Sequence, residues 1–345
     1  MSRADVRVAL VGYGLGGASF HAPLIASTPG MRLATIVTRN PERRAQAARE
    51  HPKATIVDSV QAIWDRARDY DVVVVTTSND SHAPLAKDAL AAGLPVVVDK
   101  PFAVTASQAR EVIAEARRRN LLLTVYHNRR WDSELLTVKR LLAEQAFGDV
   151  LRFESRLERW RPQPKGGWRE RGEPELAGGL LYDLGTHLID QALHLFGPVT
   201  GVYAELDRRR PGMQVDDDVF LALTHASGVR SHLSATVLSA QPLARMRVLG
   251  SRSAYVKVQI DVQEAALRSG GRPDKPGWGE EPREHWGLLG VGDAAAPVRS
   301  EPGAYQQFYA GVVASLRDGA PPPVDPEDAV AGLEIIEAAR SQAKA

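Results

Sequence analysis

The sequence predicts an α/β protein of two domains: a doubly wound parallel sheet, then an α+β domain with a large, mostly antiparallel sheet. Three observations lead there. Up to residue 126, short apolar runs alternate with helical patterns, which is the rhythm of βαβ units. From Val150 onward the chain shows longer segments of alternating hydrophobicity, the period of a sheet wetted on one face. With 345 residues, 44% of them hydrophobic and 25% charged, there is material for two packed cores. The expected division is 1–125 for the first domain, 126–325 for the second and 326–345 for a terminal helix.

The elements follow in order. VRVALVG (6–12), RLATIVT (32–38), DVVVVTT (71–77), PVVVDK (95–100) and LLLTVY (121–126) are apolar on both faces, as parallel strands covered by helices must be. Between them, TASQAREVIAEARRRN carries clear helix signals: Thr105 and Gln108 form a capping box and Asn120 closes the segment. DSELLTVKRLLAEQAFG (132–148) reads as an amphipathic helix ended by Gly148. VLRFESRLERW, VTGVYAELDRR, DVFLALTHASGVRSHLSATVLSA and RMRVLGSRSAYVKVQI supply the second sheet, with hairpins expected at ASGV and GSRS. The Gly- and Pro-rich stretch 269–303 reads as loop, and DPEDAVAGLEIIEAARSQAK as a helix.

Composition excludes several classes. Lys and Arg number 43 against 42 Asp and Glu, so a net charge of +1 offers no field for nucleic acid or an anionic membrane. With no cysteine there can be no disulfide, thiolate metal site or cysteine nucleophile. MSRADVRVALVGYG runs into a strand without the pattern of a signal peptide, and no apolar run is long enough to cross a bilayer; a soluble cytoplasmic protein is expected.

Chemistry concentrates in four places. Gly12, Gly14 and Gly17, with Tyr13 and Leu15 between them, stand in G-x-G-x-x-G spacing between the first strand and a helix, the arrangement that cradles a dinucleotide pyrophosphate. At the end of the second strand an NAD site usually carries Asp or Glu; here stand Thr38 and Arg39, with Arg43 one turn on, so NADP is expected over NAD. Thr77, Ser78, Asn79 and His82 follow the third strand and Asp99 and Lys100 end the fourth, at the carboxyl ends where open α/β sheets bind ligands. In GGLLYDLGTHLIDQALHLFG (178–197), Asp183, His187, Asp190 and His194 fall on one helical face, compatible with a metal site, a proton relay or a structural polar stripe. His187 and His194 are seven residues apart, too far for the His-x-x-x-His pair of helical metal sites, so no metal is expected.

Together these residues resemble the glucose-fructose oxidoreductase, inositol dehydrogenase and rhizopine catabolism (Gfo/Idh/MocA) family. Its Glu-Lys-Pro signature is matched by Asp99-Lys100-Pro101, and its Gly-Gly...Asp-x-Gly-x-His-x-x-Asp pattern by Gly178, Gly179, Asp183, Gly185, His187 and Asp190. FHAPLI, VVVDKPFAVT, HNRRWDSELLTVKRLL, YDLGTHLIDQALHLFG and GSRSAYVK are similar to a branch containing NADP-dependent scyllo-inositol dehydrogenases. Asp99 departs from the usual Glu, and Ser78 from a Pro common before Asn79.

The resemblance implies a Rossmann first domain, with Lys100, Asp183 and His187 as the catalytic trio meeting at the nicotinamide ring between domains. His187 would accept the hydroxyl proton, Asp183 steady its ring or bind a substrate hydroxyl, and Lys100 stabilise developing negative charge. Arg129 occupies a substrate-facing position of sugar and inositol members; Trp160 could stack on a substrate ring or pack on the sheet; 161–174 could form a lid. His127 stays open, while His21, His51, His194, His225, His232 and His285, and with them Asp190, are read as structural or solvent-facing. The activity implied is hydride transfer between NADP(H) and a secondary alcohol or ketone of a cyclic polyol or sugar, scyllo-inositol leading. Aldose and dihydrodiol dehydrogenases of the family are alternatives. A non-catalytic dinucleotide sensor is another, although a sensor has no need of the trio. The open second sheet makes a homodimer or homotetramer the expected assembly.

Overall fold

The computed structural model describes residues 4–343, which form two compact units. The first contains the chain up to Asn128 together with Gln263–Trp278 and Tyr305–Val330; the second contains the rest. Two segments from beyond residue 126 thus return to the first unit.

The first unit is built on six parallel strands, β1 (Val6–Val11), β2 (Met31–Val37), β3 (Thr55–Val57), β4 (Val72–Val75), β5 (Val96–Asp99) and β6 (Leu123–Tyr126), in the order β3-β2-β1-β4-β5-β6. All four valines of β4 are buried, as a central strand covered on both faces requires. The connecting helices are α1 (Ala22–Ser27), α2 (Pro41–Glu50), α3 (Gln61–Trp64), α4 (Asn79–Ala91) and α5 (Ala106–Arg119). α5 starts where its cap predicts: the Gln108 N–H donates to the Thr105 hydroxyl at 3.2 Å, and Asn120 closes the helix in the left-handed region at φ +54°. Sequence reading missed β3, whose three residues are too few to show a period. Strand order reverses beside β1, which opens a crevice at the carboxyl ends of β1 and β4.

The second unit holds eight strands: β7 (Val150–Glu158), β8 (Val199–Asp207), β9 (Asp218–His225), β10 (Arg230–Thr236), β11 (Met246–Gly250), β12 (Ala254–Lys257), β13 (Gly287–Gly290) and β14 (Ala296–Val298). Their order is β14-β13-β12-β11-β7-β10-β9-β8, antiparallel except where β7 meets β10. Both expected hairpins form, β9 to β10 around ASGV and β11 to β12 around GSRS. Val219, Leu221 and Leu223 alternate into the core along β9. Helices α6 (Ser133–Ala143) and α7 (Thr186–Phe196) complete the positioning framework.

The expectation of loop across 269–303 is corrected by β13 and β14, which extend the sheet edge. Within β13, Gly287 is required by packing, since a side chain there would collide with the Tyr255 ring of β12. Helix Gln306–Asp318 was likewise not expected; it buries Phe308, Tyr309 and Val312 within the first unit. No helix among the described residues is long and apolar enough to cross a membrane.

Candidate functional site

β1 ends at Val11, and the chain turns at Gly12 with φ +106°. Its backbone is sewn to both neighbouring strands: the Gly12 N–H donates to the Val37 carbonyl at 3.0 Å, and the Thr76 N–H to the Val11 carbonyl at 2.9 Å. A side chain at Gly12 would strike the Thr76 carbonyl, and one at Gly17 the Gly12 carbonyl, so both positions exclude a Cβ. At Gly14 a Cβ would meet only Arg43 Nη1, 3.8 Å away, which places that guanidinium beside the loop. The helix that follows opens as a π turn, Gly16–His21, before continuing as α1. Tyr13 lends the loop its backbone, while its buried side chain donates to Glu50 Oε2 at 2.6 Å; Leu15 is exposed.

At the end of β2 the buried Thr38 continues the sheet, its N–H donating to the Val57 carbonyl at 2.9 Å. Arg39 is exposed, and Asn40 caps α2 by accepting from the Arg43 N–H at 3.0 Å. A backbone cradle closed to side chains at Gly12 and Gly17, with the Arg43 guanidinium beside it, fits a dinucleotide.

Ser78 precedes α4, with the Thr77 and Ser81 hydroxyls 2.6 Å apart and Asn79 buried. His82 is buried between Pro101 O at 2.7 Å and Thr77 O at 3.3 Å. Burial pushes this imidazole below its ordinary range, against the opposing pull of Asp99 and of the two carbonyls. His82 lies between the turns that follow β4 and β5. Asp99 closes β5: Oδ1 accepts from the Lys100 N–H at 2.8 Å, and Oδ2 accepts from the Thr76 hydroxyl at 3.2 Å and lies 3.5 Å from His21 Nε2. Burial alone would raise this carboxyl; His21, then His82 and Lys100, outweigh it and hold Asp99 well below the usual range. His127, buried at the end of β6, enters no such cluster through its backbone, whose N–H donates to Val125 O.

In the second unit, Asp183 sits on a π turn, Leu181–Gly185, that runs into α7. Where a regular helix is expected the chain makes this wider turn; the Thr186 hydroxyl donates to the Tyr182 carbonyl at 2.7 Å, and Asp216 holds the turn's start by accepting from the Leu181 N–H at 2.7 Å. Asp183 is 31% exposed and 3.6 Å from Arg169 Nε, whereas His187, one turn later, is 6% exposed. Asp190 is buried in a two-pronged pair with Arg130, at 2.6 and 2.9 Å, and the exposed His194 is 3.1 Å from Lys139 Nζ. The stripe thus divides: Asp190 and His194 are held by neighbouring cations, Asp183 and His187 lead into the helix. Among the described residues no three His, Asp or Glu side chains gather to hold a metal.

Arg129 is buried, with Nη1 3.2 Å from Asp132 and its carbonyl accepting from Gln191 at 3.1 Å. Trp160 is 57% exposed, so its ring is not spent on sheet packing. The 161–174 stretch is fastened where Arg210 bridges Glu170 at 3.0 Å and Asp217 at 2.9 Å. Sequence reading missed Arg169, which lies against Asp183 and which no periodicity marks. A cavity of about 870 Å³ in the first unit, lined by Arg7, Arg32, Tyr70, Asp71 and Arg317, lies at the amino-terminal ends of β1, β2 and β4 and contains none of these residues.

A dinucleotide-binding parallel sheet joined to an open-sheet unit that presents a carboxylate and an imidazole one turn apart defines a two-domain NAD(P)-binding oxidoreductase. The model of the oxidoreductase family's NAD-binding Rossmann fold matches residues 6–127, and that of its C-terminal alpha/beta domain matches 139–345. The chain belongs to the Gfo/Idh/MocA oxidoreductase family. It is 42% identical to the uncharacterized oxidoreductase YdgJ of Escherichia coli (strain K12), covering 99% of this chain and 97% of that one. It is 33% identical to the scyllo-inositol 2-dehydrogenase (NADP(+)) IolW of Bacillus subtilis (strain 168), over 98% and 94%. Of solved structures, the Bacillus subtilis oxidoreductase yvaA superposes with a TM-score of 0.93 at 32% identity, over 100% and 98% of the chains. A Yersinia pestis oxidoreductase gives 0.91 at 39%, over 99% and 95%.

Proposed function

We propose that the protein is a cytoplasmic, NADP(H)-dependent dehydrogenase or reductase acting on a secondary alcohol or ketone of a cyclic polyol or sugar, with scyllo-inositol the first candidate. The observation that carries this reading is the buried imidazole of His187 one turn after the part-exposed carboxylate of Asp183. Bound NADP supplies the hydride acceptor. Alcohol oxidation also needs the hydroxyl proton removed, and an imidazole ordinarily titrates where that is useful. His187 takes the proton, Asp183 orients the ring or a neighbouring hydroxyl, and Lys100 at the end of β5 stabilises the alkoxide charge. Arg39 and Arg43 favour NADP, and the relative IolW is NADP(+)-dependent by name. Leu151, Tyr203 and Leu288, exposed on β7, β8 and β13, support a homodimer or homotetramer.

The test is a panel of inositols and sugars assayed with NADP and with NAD. Turnover of a cyclic polyol with NADP is expected. Tight NADP binding with no turnover of any member would replace this reading with a dinucleotide sensor.

A further inference from the structure

We propose that His21, with Tyr309 behind it, is a positioning residue for Lys100 and acts through Asp99; the inference rests on the oxidoreductase reading above. His21 is 0% exposed at the end of the Gly16–His21 π turn, immediately after the dinucleotide loop. One face of its ring tilts against Tyr126, centroids 4.2 Å apart. Its Nε2 faces Asp99 Oδ2 at 3.5 Å and its Nδ1 lies 2.5 Å from the Tyr309 hydroxyl. An ionised carboxylate only accepts, so the nitrogen turned toward Asp99 carries a proton, and Nδ1 pairs with the Tyr309 hydroxyl. Burial keeps that phenol protonated.

The carboxylate has little room to turn. Oδ1 is engaged by the N–H of Lys100 itself and Oδ2 by Thr76. On the loop side, a Cβ added to Gly16 would fall 2.9 Å from Oδ2 and 2.6 Å from Thr76 Oγ1, so the glycine loop closes over the same oxygen that His21 approaches. His21 closes the remaining side: its Nε2, buried and 3.5 Å from Oδ2, is beyond hydrogen-bond geometry and bears on Asp99 through charge and packing. A carboxylate fixed in this way sets the peptide that carries the Lys100 side chain and keeps its counter-charge in place. The line Tyr309, His21, Asp99, Lys100 thereby ties the loop that receives the dinucleotide to the cation that serves the substrate oxygen.

The experiment uses the full chain with Tyr309→Phe, which removes one hydroxyl, His21→Phe, and His21→Gln, which keeps an N–H donor. The rate at which Lys100 is acylated by an N-hydroxysuccinimide ester is read by peptide mass spectrometry against Lys53, alongside NADPH affinity, kcat and KM. Acylation of Lys100 should rise about threefold or more in Tyr309→Phe and His21→Phe, with partial return in His21→Gln. kcat should fall about tenfold while KM changes less than about twofold. Lys100 labelling at the wild-type rate in folded Tyr309→Phe and His21→Phe overturns the proposal and leaves His21 a packing residue. If labelling shifts but the wild type turns over no panel substrate, the coupling of His21 to Lys100 stands and the oxidoreductase reading is what fails.

Discussion

Asp183 and His187 are separated by a single turn yet sit in different media, one reachable by water and paired loosely with Arg169, the other enclosed. That contrast suits a division in which the carboxylate orients and the imidazole exchanges the proton. His187→Ala should lower alcohol oxidation by roughly 10²- to 10⁴-fold, with NADPH affinity close to wild type by fluorescence titration. Full activity in that variant would refute the assignment. The cations of the nucleotide site make a separate claim. Arg39→Ala and Arg43→Ala should each weaken NADP by about tenfold or more, the worth of one charge-assisted hydrogen bond, and barely alter NAD. Equal losses for both cofactors would show that the two side chains do not meet a 2′-phosphate.

Among the described residues two segments are π turns, Gly16–His21, which carries His21, and Leu181–Gly185, which carries Asp183. In each, an extra residue in the turn spends backbone regularity to aim a side chain, which is where π turns are commonly found. The remainder of α7 is held conventionally, by the buried Arg130–Asp190 pair. Removing one partner of such a pair strands the other charge, so Arg130→Ala should cost about 3–5 kcal/mol in denaturant unfolding. His194→Ala, on the same face but exposed, should stay within about 0.5 kcal/mol. A loss below about 1 kcal/mol for Arg130→Ala would mean that Asp190 finds another partner.

At the scale of the molecule, the second unit carries buried charge: Glu134 is fully buried and lies 3.1 Å from Arg245. Burial, with Asp132 adding to it, pushes the Glu134 carboxyl up to about 7 despite that arginine. The folded protein then binds a proton more tightly than the unfolded chain between roughly pH 4.5 and 7, so this group's contribution to stability declines as pH rises through that window. Glu134→Gln should flatten the decline, narrowing by roughly 1–3 kcal/mol the difference in unfolding free energy between acidic and neutral pH. An unchanged pH slope would show that Glu134 is ionised throughout.

Much of the fold and part of the candidate site are legible in the chain because their signals are local. The glycine spacing after β1, the Thr105 cap, the alternation of β9 and the turn residues of both hairpins each act within a few residues of one another. The sequence alone also places Arg39, Lys100, Asp183 and His187 on their elements. It does not reveal that β13 and β14 extend the second sheet, since those short strands exist only by pairing outward from β12. Nor does it show that Gln306–Asp318 belongs with the first unit. His21 is the sharpest case: its partner Tyr309 is 288 residues away in the chain. Local sequence determines which side chains are offered; which of them meets the part-buried carboxylate of Asp99 is decided by tertiary structure, because hydrogen bonds and charge act through space over a few ångströms, whatever the separation along the chain.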